Sequence, residues 1–223
     1  MSPAEFDREV VPEALIAVAR ACQRRAPDAH LGGGAALSGV FLRHRRTRDL
    51  DLFVHDAESH RVLVAQLPVI ASETGVAMRI VRDGGAFVRA QLDVPGLGAP
   101  FELDLVHEPQ RDLAAPFGPI EGVLIESLDD LRASKVTCLL SRSEPRDLVD
   151  LLFLERAGFR VEDDLPLALR KDAGIDPGTL AWLLTTFRCA PLPLMLKPLE
   201  ESELQAFRDE LAMRLRRMSV PEH

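Results

Sequence analysis

The sequence predicts an α+β fold, with a mixed β-sheet core and flanking helices in the first half and an all-helical second half. Three observations lead there. Residues 49–54, 86–94 and 101–106 alternate polar and apolar side chains, the period of a half-buried strand. Apolar residues at helical spacing precede the first of these runs and separate it from the second. Beyond a Pro/Gly-containing loop at 109–121 the alternation ceases and helical patterning takes over. The 223 residues suffice for a compact core with a helical appendage, so the expected division is 1–121, an N-terminal helix plus sheet core, and 122–223, a C-terminal helical region.

In chain order, residues 4–25 carry Phe6, Val10, Leu15, Ala19 and Cys22 on one helical face, and Pro27-Asp28 stop it. His30-Leu31 lead into Gly32-Gly33-Gly34. A short helix from Ala35 to Arg43 follows, with Leu37, Val40 and Phe41 as its apolar residues. DLDLFV at 49–54 is a strand. Residues 57–75 read as helix, interrupted by Pro68. Met78–Arg82 and Ala86–Val94 form a hairpin around Asp83-Gly84-Gly85. Phe101–Val106 is the next strand. Ser127-Leu128-Asp129-Asp130 resembles a capping box and opens a helix to about Ser141. Another begins near Pro145 and ends at Gly158. Further helices reach Met218, broken at 189–198; Trp182 and Phe187 are expected in their core.

Composition narrows the class. Apolar residues make up 47% and charged residues 28%, so the chain can bury a core and is not disordered as a whole. The net charge of −8 argues against a general nucleic-acid coat protein, while leaving room for a local basic groove. Arginines cluster at 20–25, 43–48 and 214–217. The first and last clusters read as solvated helix faces. Cys22, Cys138 and Cys189 are widely spaced and form no CxxC, so neither a disulfide framework nor a zinc site is expected from them. The N-terminus lacks the apolar run of a signal peptide, and no stretch approaches the roughly 20 apolar residues of a membrane span. The expected location is the cytoplasm, with no membrane partner.

The chemistry concentrates between Gly33 and Phe53. Residues two apart on a strand point the same way, ~6.5 Å apart, so Asp49 and Asp51 present two carboxylates on one face while Leu50 and Leu52 turn to the core. Adjacent like charges are unfavourable unless a cation offsets them. Hard oxygen ligands suit Mg2+ or Mn2+. FELDLV at 101–106 repeats the pattern. If its strand lies beside the first, Asp104 completes a three-carboxylate metal site with Asp49 and Asp51, or serves as a base. Glycines at 33 and 34 let backbone approach a phosphate, and the basic run from Arg43 to Arg48, including Arg45, is placed to meet phosphates. Singly, a DxD is more often a solvated sheet face and a diglycine a turn. The combination is far more specific. His44 reads as a hydrogen-bonding residue rather than a metal ligand; His55 and His107 read as rim or loop residues.

These residues resemble the nucleotidyltransferase superfamily, and more closely the AbiEii/AbiGii-type toxin family that includes the MenT-like transferases. Its pattern, GG(T/S)AL then HRxSxD(I/L)DLF, matches Gly33-Gly34-Ala35-Ala36-Leu37 and His44-Arg45-Arg46-Thr47-Arg48-Asp49-Leu50-Asp51-Leu52-Phe53. The later strand acid matches Asp104. The helical half supplies Lys135, Arg142 and the run from Arg146 to Leu151. The resemblance covers about residues 29–154. It implies a nucleotidyltransferase-like sheet, a nucleoside triphosphate substrate, a divalent metal, Lys135 on the triphosphate, Asp147 orienting the site, a transfer RNA as acceptor and a separately encoded antitoxin. Asp150 is left open between function and helix-surface charge.

One position departs from the superfamily. Ala35 stands where a serine or threonine hydroxyl would donate to a phosphate oxygen, a bond worth roughly 1.5–3 kcal/mol. Ser38, one turn on, is the nearest substitute. Two other readings therefore stay open beside the toxin enzyme: nucleotidyl transfer to a small cationic molecule such as an aminoglycoside, and a non-catalytic nucleotide-binding module.

Overall fold

The computed structural model describes residues 5–109 and 112–219. The chain divides into two compact units, Met1–Ser127 and Leu128–His223.

The first unit is built on a seven-stranded mixed sheet. Its strands are β1 (His30–Gly32), β2 (Asp49–Val54), β3 (Ala77–Asp83), β4 (Phe87–Asp93), β5 (Phe101–His107), β6 (Phe117–Ile120) and β7 (Val123–Ile125), in the spatial order β3-β4-β5-β2-β1-β7-β6. β2 runs parallel to β5 and antiparallel to β1; β7 runs parallel to β1. Alternation sorts the side chains. Leu50, Leu52, Val54, Leu103 and Leu105 are buried on one face. Helices α1 (Glu13–Arg25), α3 (Ala57–Ala65) and α4 (Leu67–Thr74) pack against the strands. The opposite face carries the acidic side chains of β2 and β5.

Several local features differ from the expectation. The N-terminal helix begins at Glu13, not at residue 4, which itself lies outside the described residues. Pro12 explains this: a proline disfavours helical backbone in the residue before it, and it lacks the N–H that a helix interior needs. The preceding segment still buries Phe6, Val10 and Val11. The Asp7 amide donates to the Gly39 carbonyl at 2.8 Å. Residues 57–75 split at Pro68 as expected, into α3 and α4. The short helix α2 (Gly33–Ala36) continues as a π-helical turn over Leu37–Leu42, ended by Arg43 in the left-handed region at φ 51°. β6 and β7 fall where a loop and the start of the helical half were expected. Each is only three or four residues long, and Gly118-Pro119 interrupts the alternation of β6.

The second unit is helical: α5 (Leu128–Ser141), α6 (Pro145–Arg156), α7 (Val161–Lys171), α8 (Pro177–Thr185) and α9 (Glu201–Met218). α5 packs on α6 and α7, and α8 on α9. Phe187 is buried as expected, but Trp182 is 67% exposed. In α8 the inward positions go to Leu180, Ala181 and Leu184, one helical stripe that excludes Trp182. Cys22 is fully buried; desolvation pushes its thiol up to about 12, so it behaves as a small hydrophobe. Among the described residues no helix is long and apolar enough to cross a membrane.

The two assignments of burial make a paired prediction. Leu103→Ala removes a fully buried side chain and should cost about 2–5 kcal/mol. Trp182→Ala should change stability by less than about 0.5 kcal/mol. Chemical denaturation of both variants checks the contrast.

Candidate active site

The register of the central strands creates the acidic face. Asp49 lies opposite Glu102 and Asp51 opposite Asp104 across the parallel β2–β5 pair. Residues directly opposite share a face, so four carboxylates project from two neighbouring strands. Asp49, Asp51 and Glu102 are partly exposed, and Asp104 is 5% exposed.

Arg89 on β4, opposite Asp104, reaches into this cluster. Its Nε and Nη2 donate to the two Asp104 carboxylate oxygens, both at 2.7 Å, and its Nη1 lies 2.7 Å from Glu102 Oε2. Hydrogen bonding to Asp104, only partly opposed by burial, raises the Arg89 pKa further above its ordinary value. Asp104 is thus turned onto Arg89. Among the described residues, the three metal-capable side chains whose ligand atoms all lie within 4.8 Å of one another are not Asp49, Asp51 and Asp104. The three share a face without converging on a point. The donor set is oxygen throughout, which fits Mg2+ or Mn2+, ions that bind through one or two carboxylates plus substrate phosphates. Asp49 and Asp51 are two carboxylates of that kind; Asp104 would have to give up an Arg89 bond to join them.

The glycine turn is shaped by what lies against it. Gly33 has φ +59°, and a Cβ there would overlap the Asp51 carboxylate. Glycine at this position admits both the left-handed backbone and the close carboxylate. A Cβ on Gly34 would sit 2.8 Å from Arg45 Nη2. Arg45 is itself 2% exposed, so it lies behind the glycine turn rather than on an open face. The HRRT segment is pinned from below. Ser38 Oγ donates to the Arg45 carbonyl at 2.6 Å and accepts from the His44 and Arg45 amides at 3.3 and 3.2 Å. Ser38 is fully buried and committed to this turn, so it does not replace the hydroxyl missing at Ala35. Thr47 Oγ1 accepts from the Asp49 amide at 3.4 Å, tying the turn to the start of β2.

The helical unit holds a second charged group. Lys135 on α5 lies 3.2 Å from Asp147 and 2.7 Å from Asp150, both on α6. Arg142 donates from Nε and Nη2 to the two oxygens of Asp147 at 2.8 and 2.7 Å. Lys135 is 3% exposed and both aspartates are fully buried. Burial pushes the Asp147 carboxyl up, but Arg142 and Lys135 outweigh it and hold the group below its ordinary value. The sequence-predicted residues therefore gather in two places. Gly33, Gly34, Arg45, Asp49, Asp51 and Asp104 meet in the sheet unit, and Lys135 and Asp147 meet in the helical unit with Asp150 and Arg142. Two residues escaped the sequence reading. Arg89 could have been found from the alternation of β4, which puts it on the polar face. Glu126, 3% exposed with Oε2 2.5 Å from a Cβ built on Gly32, follows a strand too short to read.

Comparison with known proteins decides the family. The family model described as "Nucleotidyl transferase AbiEii toxin, Type IV TA system" matches residues 16–221. The chain belongs to the AbiEii family. Comparison with curated proteins found no match. Among solved structures, JHP933 from Helicobacter pylori is similar at TM-score 0.59 and 20% identity, over 94% of each chain. MenT4, the nucleotidyltransferase toxin Rv2826c of Mycobacterium tuberculosis H37Rv, is similar at TM-score 0.61 and 15% identity, over 91% of this chain and 84% of its own. At these identities the likeness is one of fold. It agrees with the nucleotidyltransferase-like mixed sheet expected of an AbiEii chain.

Two substitutions test the geometry of this AbiEii protein through stability alone. Gly33→Ala forces a side chain into a left-handed conformation against Asp51, and should lower stability by about 1–3 kcal/mol. Thermal unfolding reads this directly. Asp147→Asn should cost about 3–5 kcal/mol at neutral pH by leaving buried cations short of a partner. Because the folded Asp147 pKa lies below its unfolded value of about 3.9, its contribution is complete above that value. It disappears as pH falls through the folded value. Urea denaturation at pH 7 and pH 3 should show the wild type and Asp147→Asn converging at the lower pH.

Proposed function

We propose that this AbiEii-family chain transfers a nucleoside monophosphate from a nucleoside triphosphate to an acceptor hydroxyl, with the end of a transfer RNA as acceptor and growth arrest, relieved by an antitoxin, as the outcome. The observation that carries the reading is the acidic face: Asp51 beside Asp104, with Asp49 one turn of the pleat away, in a chain whose family is that of nucleotidyltransferase toxins. The name of MenT4 as a nucleotidyltransferase toxin agrees with it.

Asp49 and Asp51 would hold a Mg2+ or Mn2+ ion, with Asp104 as the third ligand. Such an ion, when bound, neutralises triphosphate charge and polarises the reacting phosphoryl group. The chain's own residues do the positioning. Parallel register holds the carboxylates at fixed spacing, and the buried leucines beneath keep the strands from slipping. Gly33 keeps a side chain out of the space beside Asp51, where a triphosphate would lie, and Gly34 lets the turn rest on Arg45. Arg45 supports that turn from behind. Both Asp104 oxygens already accept from Arg89, so taking a proton from the acceptor would cost one of these bonds. Ligating the ion carries the same cost. In the helical unit, Lys135 is the candidate phosphate contact in this reading, exchanging an aspartate for phosphate oxygen, with Asp147 orienting it.

The test is incubation of the purified protein with each α-labelled nucleoside triphosphate, Mg2+ or Mn2+, and total RNA. Label should appear on a transfer-RNA-sized band with one preferred nucleotide. Asp49→Asn and Asp51→Asn should each lower it on the order of 10²–10³-fold. Label that persists in the double variant would remove these carboxylates from the mechanism. Nucleotide binding without label on RNA would move the acceptor to a small molecule.

A further inference from the structure

The acidic face carries a second group of potential ligands, chemically unlike the first. His30 on β1 lies opposite Phe53 of β2, and Gly32 opposite Asp51. His30 therefore sits on the same face as Asp51, one residue pair further along. His55 follows the end of β2, and Asp112 lies in the segment after β5. Their side chains meet. Asp112 Oδ1 is 3.4 Å from His30 Nε2, and Oδ2 is 3.0 Å from His55 Nε2. One ligand atom from each residue lies within 4.8 Å of the other two. The His30 ring is buried, stacked on Phe53 and 5.3 Å from the His55 ring.

The remaining ring nitrogens define the orientation. His55 Nδ1 is 2.8 Å from the Glu108 carbonyl oxygen, which can only accept, so Nδ1 carries the proton. The His30 Nδ1 contact, 3.5 Å from the Asp28 carbonyl, is longer and has the same polarity. A ring that carries its one proton on Nδ1 turns its Nε2 lone pair toward the Asp112 oxygens. Lone pairs facing lone pairs repel unless a proton or a cation lies between them. A backbone carbonyl on the far ring nitrogen is also how metal-bound histidines are commonly held.

We propose that His30 Nε2, His55 Nε2 and the Asp112 carboxylate bind one divalent transition-metal ion of the zinc class. Imidazole nitrogen selects such ions over Mg2+. Donors around a tetrahedral zinc lie roughly 3.3–3.5 Å apart, given Zn–N and Zn–O distances of about 2.0–2.1 Å, so the observed separations need only small adjustments. Three protein ligands leave a position for water, as in exchangeable rather than closed zinc sites. The ion ties β1 and β2 to the segment after β5. The site is distinct from Asp49 and Asp51, with Phe53 between the two along β2, and does not depend on the proposed transferase reaction.

The test uses the full-length protein, stripped with chelator and dialysed against ZnCl2 with excess MgCl2, with metal content then measured. One zinc per chain is expected, and Co2+ in its place should give the intense visible bands of a low-coordinate nitrogen-ligated ion. His55→Ala and Asp112→Asn, both at partly exposed side chains, should each weaken zinc binding at least about 100-fold, with folding checked by circular dichroism. Asp49→Asn/Asp51→Asn should retain the zinc. No zinc on the wild type in excess Mg2+ would overturn the proposal and leave the group as an imidazolium–carboxylate pair. Zinc bound equally by the His55 and Asp112 variants, or lost with Asp49 and Asp51, would overturn it as well.

Discussion

The parallel pairing of β2 with β5 is the constraint from which the candidate site follows. Five of the residues on these two strands that face away from the acidic side, from Leu50 to Leu105, are buried. A slip of one residue would turn every one of them to the other face. The core therefore specifies the register, and the register specifies which carboxylates are neighbours. Asp51 meets Asp104 because Leu50 and Leu52 pack where they do, level with Leu103 and Leu105. Gly33 completes the arrangement from the other side, since β1 brings the glycine turn against the same Asp51 carboxylate.

Around this centre the motif residues divide into those that face the acid cluster and those that hold it up. Ser38, His44, Arg45 and Thr47 are all buried, and the Ser38 and Thr47 hydroxyls and the Arg45 guanidinium bond to backbone groups of this segment. Arg43 adopts left-handed backbone to let the π-helical turn reverse into β2. The arginine-rich run thus spends Arg45 on support, leaving Arg43, Arg46 and Arg48 as its exposed members. The methyl group of Ala35 is fully buried too.

Much of this was readable in the sequence because it rests on short-range periodicity. The alternation in DLDLFV and FELDLV places the acids and leucines on opposite faces, and Pro68 marks the break between α3 and α4. What escaped has physical reasons. The start of α1 was missed because helical spacing in Phe6 and Val10 arises from a turn that buries them without forming helix, and Pro12 outweighs the pattern. β6 and β7 are too short to show a period. Trp182 is large and apolar, yet its helix turns another stripe inward. Arg89 belongs to a partner strand, and strand pairing is a long-range fact that local pattern does not carry. The His30–His55–Asp112 group is the extreme case, assembled from three segments with nothing in their spacing to connect them.

The two units handle ionic charge in opposite ways, and this bears on how their residues can act. In the sheet unit, Asp49, Asp51 and Glu102 keep contact with water, so hydration helps to support their charges. In the helical unit, Lys135, Asp147 and Asp150 are withdrawn from water, and such charges persist only when paired. Each aspartate accepts from Lys135, and Asp147 accepts from Arg142 as well. Removing one member strands the others, so the network fastens α5 to α6 as firmly as an apolar contact would, while demanding a specific alignment of the two helices. A phosphate reaching Lys135 would enter as a replacement acceptor, and the arginine already on Asp147 would keep that carboxylate charged and in place while the lysine changed partners.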